Sequence, residues 1–186
     1  MATIRILLVI ICFAFAGSRD VPGRNLLRDR VIKEPLPVRQ RLVTIAVNEI
    51  GVRELSGKND GERVEAYLAI TSLKKGSPWC ASFLSWVYAK AGYLKPRSAW
   101  SPDLLPKYRL ARSALPGDIF GIYFPELKRI AHVGMVERID GDYCISIEGN
   151  TNSSGGNDGD GVYRKRRLLR SIYRIANWVD KEGRLQ

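Results

Sequence analysis

The sequence predicts an α+β domain in which helices in the first half of the chain pack on an antiparallel β-sheet formed by the second half. Two observations support this fold class. Up to Gly92, apolar residues recur at helical spacing, whereas beyond residue 115 the apolar segments are short, β-rich and separated by Gly and Asp. A third observation is that Cys80 stands where the last predicted helix begins, behind a proline.

Three amphipathic helices are predicted from the apolar spacing. The first covers about residues 37–50, and the second follows a polar loop in which Asn59 or Asp60 can act as the N-cap. The third covers about residues 78–91 and contains the cysteine. Their buried faces consist of Val43, Ala46, Val47 and Ile50, then Val64, Tyr67 and Leu68, and finally Phe83, Leu84, Val87, Tyr88 and Ala91.

Four β-strands are predicted in the second half, at residues 116–124, 131–139, 143–150 and 161–168. The loop at 151–161 is rich in Gly, Ser and Asn. Its acidic residues do not follow the spacing of a calcium-binding loop, and nothing in it matches a phosphate-binding loop.

The first residues have the pattern of an export signal. Residues 1–16 contain a positive start, a short apolar run and a small-x-small cleavage site, and the run is shorter than the roughly 20 apolar residues that span a bilayer. Lipoprotein processing at Cys12 is the weaker alternative, because Ile11 stands where a small residue is preferred. We therefore predict a signal peptide at 1–16, a linker or arm at 17–36 and one folded domain at 37–186.

The chain has a formal net charge of +11. For an exported protein, located in the periplasm or secreted, the anionic partners are wall polymers, membrane headgroups and acidic peptides. The basic segment 163–174 is interpreted as a solvated strand face, since no nucleic-acid recognition motif accompanies it. We expect a monomer without nucleic acid or a stable membrane span.

Cys80 has the position of a nucleophile. The start of a helix carries about half a positive charge and unpaired amide donors, which stabilise a thiolate. The only other cysteine after the signal, Cys144, is expected to be a small buried residue. The single histidine, His132, excludes the usual zinc hydrolase sites, which need two or three. A lone histidine is more often structural, but downstream of such a cysteine it is favoured as its catalytic partner.

An acceptor that orients the imidazole is expected in the strand after His132, where Glu148 and Asn150 are available. A two-residue turn between the strands would place Glu148 on the face opposite to His132. A three-residue turn at 140–142 would pair His132 with Asn150 and collect the polar groups on one face. We therefore predict the odd-length turn or an equivalent bulge. The alternatives are a solvent-facing glutamate and an asparagine that only forms a turn.

Several segments together resemble the CHAP family of cysteine amidohydrolases and peptidases, relatives of the NlpC/P60 group in the papain-like clan. The resemblance covers about residues 37–175 and lies in "PWCASFLSWVYAKAG", "PGDI", "AHVGMVERIDGDYCISIEGNTN" and "GVYRKRR". It implies a papain-like fold and a peptidoglycan hydrolase that cuts either the muramoyl–L-alanine amide or a bond within the wall peptides. It also implies Cys80 as nucleophile, His132 as general base and then acid, Glu148 as orienting acceptor and Asn150 as a further polar group of the site.

Other roles near the site are left with alternatives. Trp79 and Trp100 are candidates for the walls of a substrate groove, or else core or rim aromatics. Asn59 and Asp60 are candidates for bordering the cleft, or for a cation site since some relatives use calcium, although helix capping is favoured. No cofactor or metal is expected. The Cys80 amide is one expected oxyanion donor, and the second is not identified.

Two other functions compete with the hydrolase. The first is a non-catalytic wall-binding module that uses its basic face for anionic polymers. The second is an antibacterial effector of the same fold, delivered to rival cells.

Overall fold

A computed structural model describes residues 37–153 and 159–179, and it confirms the α+β fold class. Its α-helices are α1 (Val38–Val47), α2 (Glu62–Ala69) and α3 (Cys80–Lys90), and its strands are β1 (Ile119–Phe124), β2 (Arg129–Asp140), β3 (Tyr143–Thr151), β4 (Gly161–Leu168) and β5 (Arg174–Ala176). The predicted signal peptide and arm, residues 1–16 and 17–36, lie outside the described residues. None of the helices in the described ranges has the length and apolarity needed to cross a membrane.

The predicted cap of the second helix is wrong. Helix α2 begins after Gly61, whose φ of 106° places it in a conformation that favours glycine. Asp60 instead accepts hydrogen bonds from the amide (2.9 Å) and hydroxyl (2.7 Å) of Ser56 within the loop. Asn59 has a φ of 55°, and its N–H donates to Glu54. Both residues therefore stabilise the loop that precedes α2 rather than the first turn of the helix.

The five strands form one antiparallel sheet in the order β4-β3-β2-β1-β5. Alternate residues of the strands face the three helices and complete the main core, among them Ile119, Val133, Met135, Ile147 and Val162. The opposite face carries a smaller apolar cluster around Phe120, Val136 and Cys144. Strand β5 was not predicted, because three residues are too few for a strand pattern in the sequence.

The pairing of β2 with β3 confirms the predicted bulge. The strands are joined by a two-residue turn, so that Ile139 pairs with Cys144. A register shift at Glu137 adds one residue to β2, and Val136 then pairs with Ser146. The bulge has the same effect on side-chain direction as a three-residue turn. It brings the polar residues of the two strands to a common face of the sheet.

Candidate active site

Cys80 is the first residue of α3, and the residue before it anchors that end of the helix. Trp79 is fully buried, stacks on Tyr67 with 5.5 Å between ring centroids, and donates from Nε1 to Glu54 at 2.9 Å. It offers no surface to a substrate, so it is a core aromatic and not a groove wall. Glu54 also accepts from the N–H of Asn59, so the loop before α2 supports the start of α3 through this carboxylate.

Cys80 is 7% exposed, and its thiol has polar neighbours in Ser101 and His132. Its Sγ lies 3.6 Å from the Oγ of Ser101, at the start of a short 3-10 helix. Burial alone would raise the pKa of the thiol, but hydrogen bonding and charge from His132, with help from Ser101 and the Val133 backbone, lower the pKa below its ordinary value. The thiolate is thus favoured at this position.

His132 lies between Cys80 and Glu148. Its Nε2 is 2.8 Å from Oε2 of Glu148, which leaves Nδ1 as the ring nitrogen for the thiol. Burial opposes protonation of the ring, yet the hydrogen bonds to Cys80 and Glu148 and their negative charges raise the pKa of His132 to about 9. At neutral pH the imidazole is therefore protonated, and its charge favours ionisation of the adjacent thiol.

Glu148 is fully buried, and both oxygens of its carboxylate have hydrogen-bond partners. Besides His132, it accepts from the hydroxyl of Ser146 at 2.6 Å and from two nitrogens of Arg167, at 2.6 Å and 2.5 Å. Burial would raise the pKa of the carboxyl, but the hydrogen bonds from Arg167 and His132 and their charges lower it to about 2. Gly134 makes room for this side chain, because a Cβ there would lie 2.7 Å from Cγ of Glu148.

Sequence reasoning missed Arg167, Ser101 and Ser146. The place of Arg167 follows from the strand pairing in the structure: it pairs with Cys144 across β3 and β4, and strand alternation then places it on the face of Glu148. A carboxylate buried beside a histidine needs a cation, and the basic strand was the nearest source. Ser101 carried no comparable signal, since it lies in an irregular segment distant from Cys80 in sequence.

Asn150 adopts a left-handed φ of 53°, which asparagine tolerates better than most residues. With the amide oriented to satisfy its neighbours, its oxygen accepts from the N–H of Trp79 at 3.0 Å and its NH2 donates to the Gly159 carbonyl at 3.3 Å. Asn150 thus ties the end of β3 to the residue that precedes Cys80. Asn150 also lines a cavity of about 400 Å³ beside the thiol.

Two cavities meet at Cys80. The larger has a volume of about 400 Å³ and includes His132, and the smaller, of about 350 Å³, includes Trp100. Trp100 is half exposed, with the guanidinium of Arg129 4.1 Å above its ring. Trp100 thus lines the smaller cavity, and its role as the wall of a substrate groove stays a prediction. Neither Asn59 nor Asp60 is among the described residues that line these cavities.

Two further buried groups, Cys144 and Asp118, have structural roles. Cys144 is fully buried, and burial together with the charge of Glu148 raises the pKa of its thiol to about 11. It is not bonded to Cys80, since both cysteines are free. Asp118 is buried and pairs with Arg39 at 2.8 Å. In the described part of the chain, no three His, Cys, Asp or Glu side chains form a group that could hold a metal ion.

The arrangement of Cys80, His132 and Glu148 is suited to nucleophilic chemistry. A thiol with a lowered pKa at a helix start lies against a protonated imidazole, and a buried carboxylate with its own arginine orients the ring. The thiol opens on two cavities, so an extended substrate can lie on both sides of it.

No family model matches this sequence, and no curated protein matches it either. Among solved structures, the chain is similar to a protein from Staphylococcus aureus subsp. aureus Mu50 described as similar to a lipoprotein of the NLP/P60 family. The identity is 15% and the TM-score 0.44, over 79% of this chain and 43% of that one. The chain thus spans less than half the length of that protein. At this level of likeness the comparison implies no activity for this chain.

Proposed function

We propose that the chain is an exported peptidoglycan hydrolase of the CHAP type, which cleaves an amide bond of the wall peptide through a Cys-His-Glu thioester mechanism. One observation carries this proposal. The thiol of Cys80 contacts His132, and the other ring nitrogen of that histidine lies 2.8 Å from the buried carboxylate of Glu148. Such a chain of nucleophile, proton carrier and orienting acceptor is the arrangement that acyl transfer requires.

In the first half of the reaction, the Cys80 thiolate attacks the amide carbonyl and a C–S bond forms. The resulting oxyanion is stabilised by donors at the start of α3, such as the Cys80 backbone N–H. The C–N bond then breaks while the protonated His132 donates its proton to the departing amine. The products of this half are a free amine and a thioester on Cys80.

In the second half, the neutral His132 takes a proton from water, and the hydroxide attacks the thioester carbonyl. The C–S bond breaks, the carboxylic acid leaves, and the thiolate and the imidazolium are regenerated. Glu148 stays ionised throughout, because its pKa of about 2 lies far below neutral pH. Its role is to hold the ring and to stabilise the imidazolium.

The choice of peptidoglycan as substrate rests on other features. The resemblance to the CHAP family lies in the segments that carry Cys80, His132 and Glu148. The export pattern at 1–16 and the net charge of +11 suit a protein that meets the anionic wall. A wall-binding module without activity, or an effector delivered to rival cells, would share these general features, but only an enzyme needs the polarised thiol.

The proposal is tested by digesting purified peptidoglycan with the protein and identifying the released fragments by mass spectrometry. We expect new amine and carboxyl ends at one type of amide, whose position distinguishes an amidase from an endopeptidase. The Cys80→Ala variant should release none, whereas Cys144→Ala, which removes the other buried thiol, should retain the cleavage pattern. Peptidoglycan binding without cleavage by the folded wild-type protein would support the binding module instead.

A further inference from the structure

The two cavities at Cys80 share a boundary that a substrate must cross. Four residues line both of them: Pro78, Cys80, Arg129 and Ala131. A peptide whose scissile carbonyl lies at the thiol, and which extends on both sides, therefore passes the side chain of Arg129. This argument rests on the proposed hydrolase function, because it takes Cys80 as the point of attack.

The two cavities differ in polarity. The smaller one also contains the hydroxyls of Ser77 and Ser101, but most of its lining is apolar. The apolar lining residues are Leu73, Pro78, Ala99, Trp100 and Ala131. Besides His132, whose charge is paired with Cys80 and Glu148, the larger one contains three cationic side chains, Arg129, Lys165 and Arg167. Arg167 is already neutralised by Glu148, which leaves two cations that face the cavity.

Arg129 is held in a defined position without using a carboxylate. Its guanidinium stacks 4.1 Å above Trp100, and its Nη1 donates to the carbonyl of Ile130 at 3.1 Å. A guanidinium has five N–H donors in a planar fork, so further donors remain for a ligand. Lys165 donates from Nζ to the carbonyl of Asn152 at 2.5 Å. Over residues 37–153 and 159–179, no carboxylate forms an ion pair with either cation.

The one acidic side chain that lines the larger cavity without belonging to the catalytic set is Glu126, among the described residues. It is exposed, whereas Arg129 and Lys165 are half buried. The inner part of the cavity is therefore cationic and its rim carries the negative charge. An anion is best accommodated inside, near the thiol.

We propose that the substrate carries a free carboxylate beside the scissile amide, and that Arg129 binds it while Lys165, which lines the same cavity, stabilises its charge. The smaller cavity takes the neutral, small or apolar portion on the other side of the amide. The enzyme thus selects an acidic residue next to the bond that it cuts. Charged hydrogen bonds of this kind favour the carboxylate over an uncharged isostere by about 10-fold to 100-fold.

The test uses two wall-peptide fragments that differ only in one group next to the scissile amide, a free carboxylate or the corresponding carboxamide. We expect the wild type to prefer the carboxylate by about tenfold or more in kcat/KM. Arg129→Gln should remove most of this preference, and Lys165→Gln part of it. The control is Arg166→Gln, which removes the same charge from the opposite face of β4 and should keep the preference. Thermal melts confirm that each variant is folded.

A second readout separates this inference from the proposed function. Binding of both fragments to the Cys80→Ala protein is measured by calorimetry, so no hydrolysis is needed. Tighter binding of the carboxylate fragment, lost with Arg129→Gln, supports the carboxylate site even if neither fragment is cleaved. Equal turnover and equal binding of the two fragments would overturn the inference while leaving the hydrolase proposal intact.

Discussion

Arg167 holds the carboxylate of Glu148 with two nitrogens: its Nε lies 2.6 Å from Oε1 and its Nη2 lies 2.5 Å from Oε2. Glu148 is fully buried and bonds His132 through the same Oε2. A buried carboxylate is stable only if its charge is compensated, and a planar guanidinium does this in a fixed geometry. Arg167 is therefore the residue that keeps Glu148 ionised and pointed at the imidazole.

Replacing Arg167 tests this positioning role. We expect Arg167→Met to lower the free energy of unfolding by about 3 kcal/mol, since it leaves a buried carboxylate without its main partner. Arg167→Lys should recover part of the stability but less of the activity, because an ammonium cannot bind both oxygens in a plane. The measurements are urea unfolding and kcat/KM on soluble peptidoglycan fragments.

The matched control is Arg166→Met, the neighbouring arginine on the other face of β4. It lies over the ring of Tyr143 at an exposed position, where such a contact is worth about 1 kcal/mol or less. If Arg167→Met were as stable and as active as Arg166→Met, the positioning role would be wrong.

Gly134 provides the space that Glu148 occupies. A Cβ at this position would lie 2.5 Å from Cζ of Phe120 and 2.7 Å from Cγ of Glu148, so Gly134→Ala must displace one of them. We expect a stability loss of about 1–3 kcal/mol and a large fall in kcat, because the carboxylate moves relative to His132.

Gly121→Ala is the steric control for this substitution. Its added Cβ would lie 2.9 Å from atoms of Ile130 and Leu105, away from the carboxylate. We expect a similar loss of stability with most of the kcat retained at a temperature where both variants are folded. Equal kcat values for the two variants would show that the contact with Glu148 is unimportant.

The pH dependence of kcat/KM should be bell-shaped. Cleavage needs the Cys80 thiolate, which is lost on the acidic side, and a protonated His132, which is lost as the pH rises through its pKa of about 9. Glu148→Gln should move the alkaline limb to lower pH in whatever activity remains, because the negative charge that raises the pKa of His132 is gone. A rate that still increases above pH 10 would contradict the ion pair.

Glu148 should also contribute to the acid sensitivity of the fold. Its pKa is about 2 in the folded protein against 4.5 as its ordinary value, so the folded state binds the proton more weakly. The ionised Glu148 therefore stabilises the folded state fully above pH 4.5, and this stabilisation is lost as the pH falls towards 2. This difference in pKa corresponds to a contribution of roughly 3 kcal/mol to the free energy of unfolding.

This acid contribution is measured by urea unfolding at several pH values between 6 and 2.5 for the wild type and Glu148→Gln. The wild type should lose more stability over this range than the variant, which lacks the titrating group. Parallel curves for the two proteins would show that the carboxyl of Glu148 titrates normally in the folded state.

The sequence was sufficient to predict the fold class and the elements that carry Cys80, His132 and Glu148. Helical and strand periodicities are local properties, and the helix start at Cys80 was marked by a proline and an apolar stripe. Because side chains alternate between the two faces of a strand, only two outcomes were possible for the pairing of the two strands: Glu148 on the same face as His132, or on the opposite face. The structure selects one through a bulge at Glu137, whose place cannot be read from local residue preferences.

Other features depended on contacts between distant segments. Trp79 is a core aromatic because it stacks on Tyr67 of α2, a contact that the local sequence does not encode. The loop at Asn59 folds back on Glu54, so neither Asn59 nor Asp60 is at the N-cap position of α2. Arg167 looked like one cation of a solvated basic strand, and only the pairing of β3 with β4 shows that it meets a buried carboxylate.

The most direct test of the ion pair at the centre of the site is the rate of Cys80 alkylation by iodoacetamide as a function of pH, resolved by peptide mass spectrometry. Cys144, fully buried with a pKa of about 11, is the internal control and should remain almost unlabelled at neutral pH. We predict that Cys80 in the wild type reaches half its maximal rate below pH 9, and that His132→Ala moves this midpoint to higher pH because the hydrogen bond and charge of His132, which are the main effects opposing burial, are removed. A wild-type midpoint at or above 9 that does not change in His132→Ala would contradict the account.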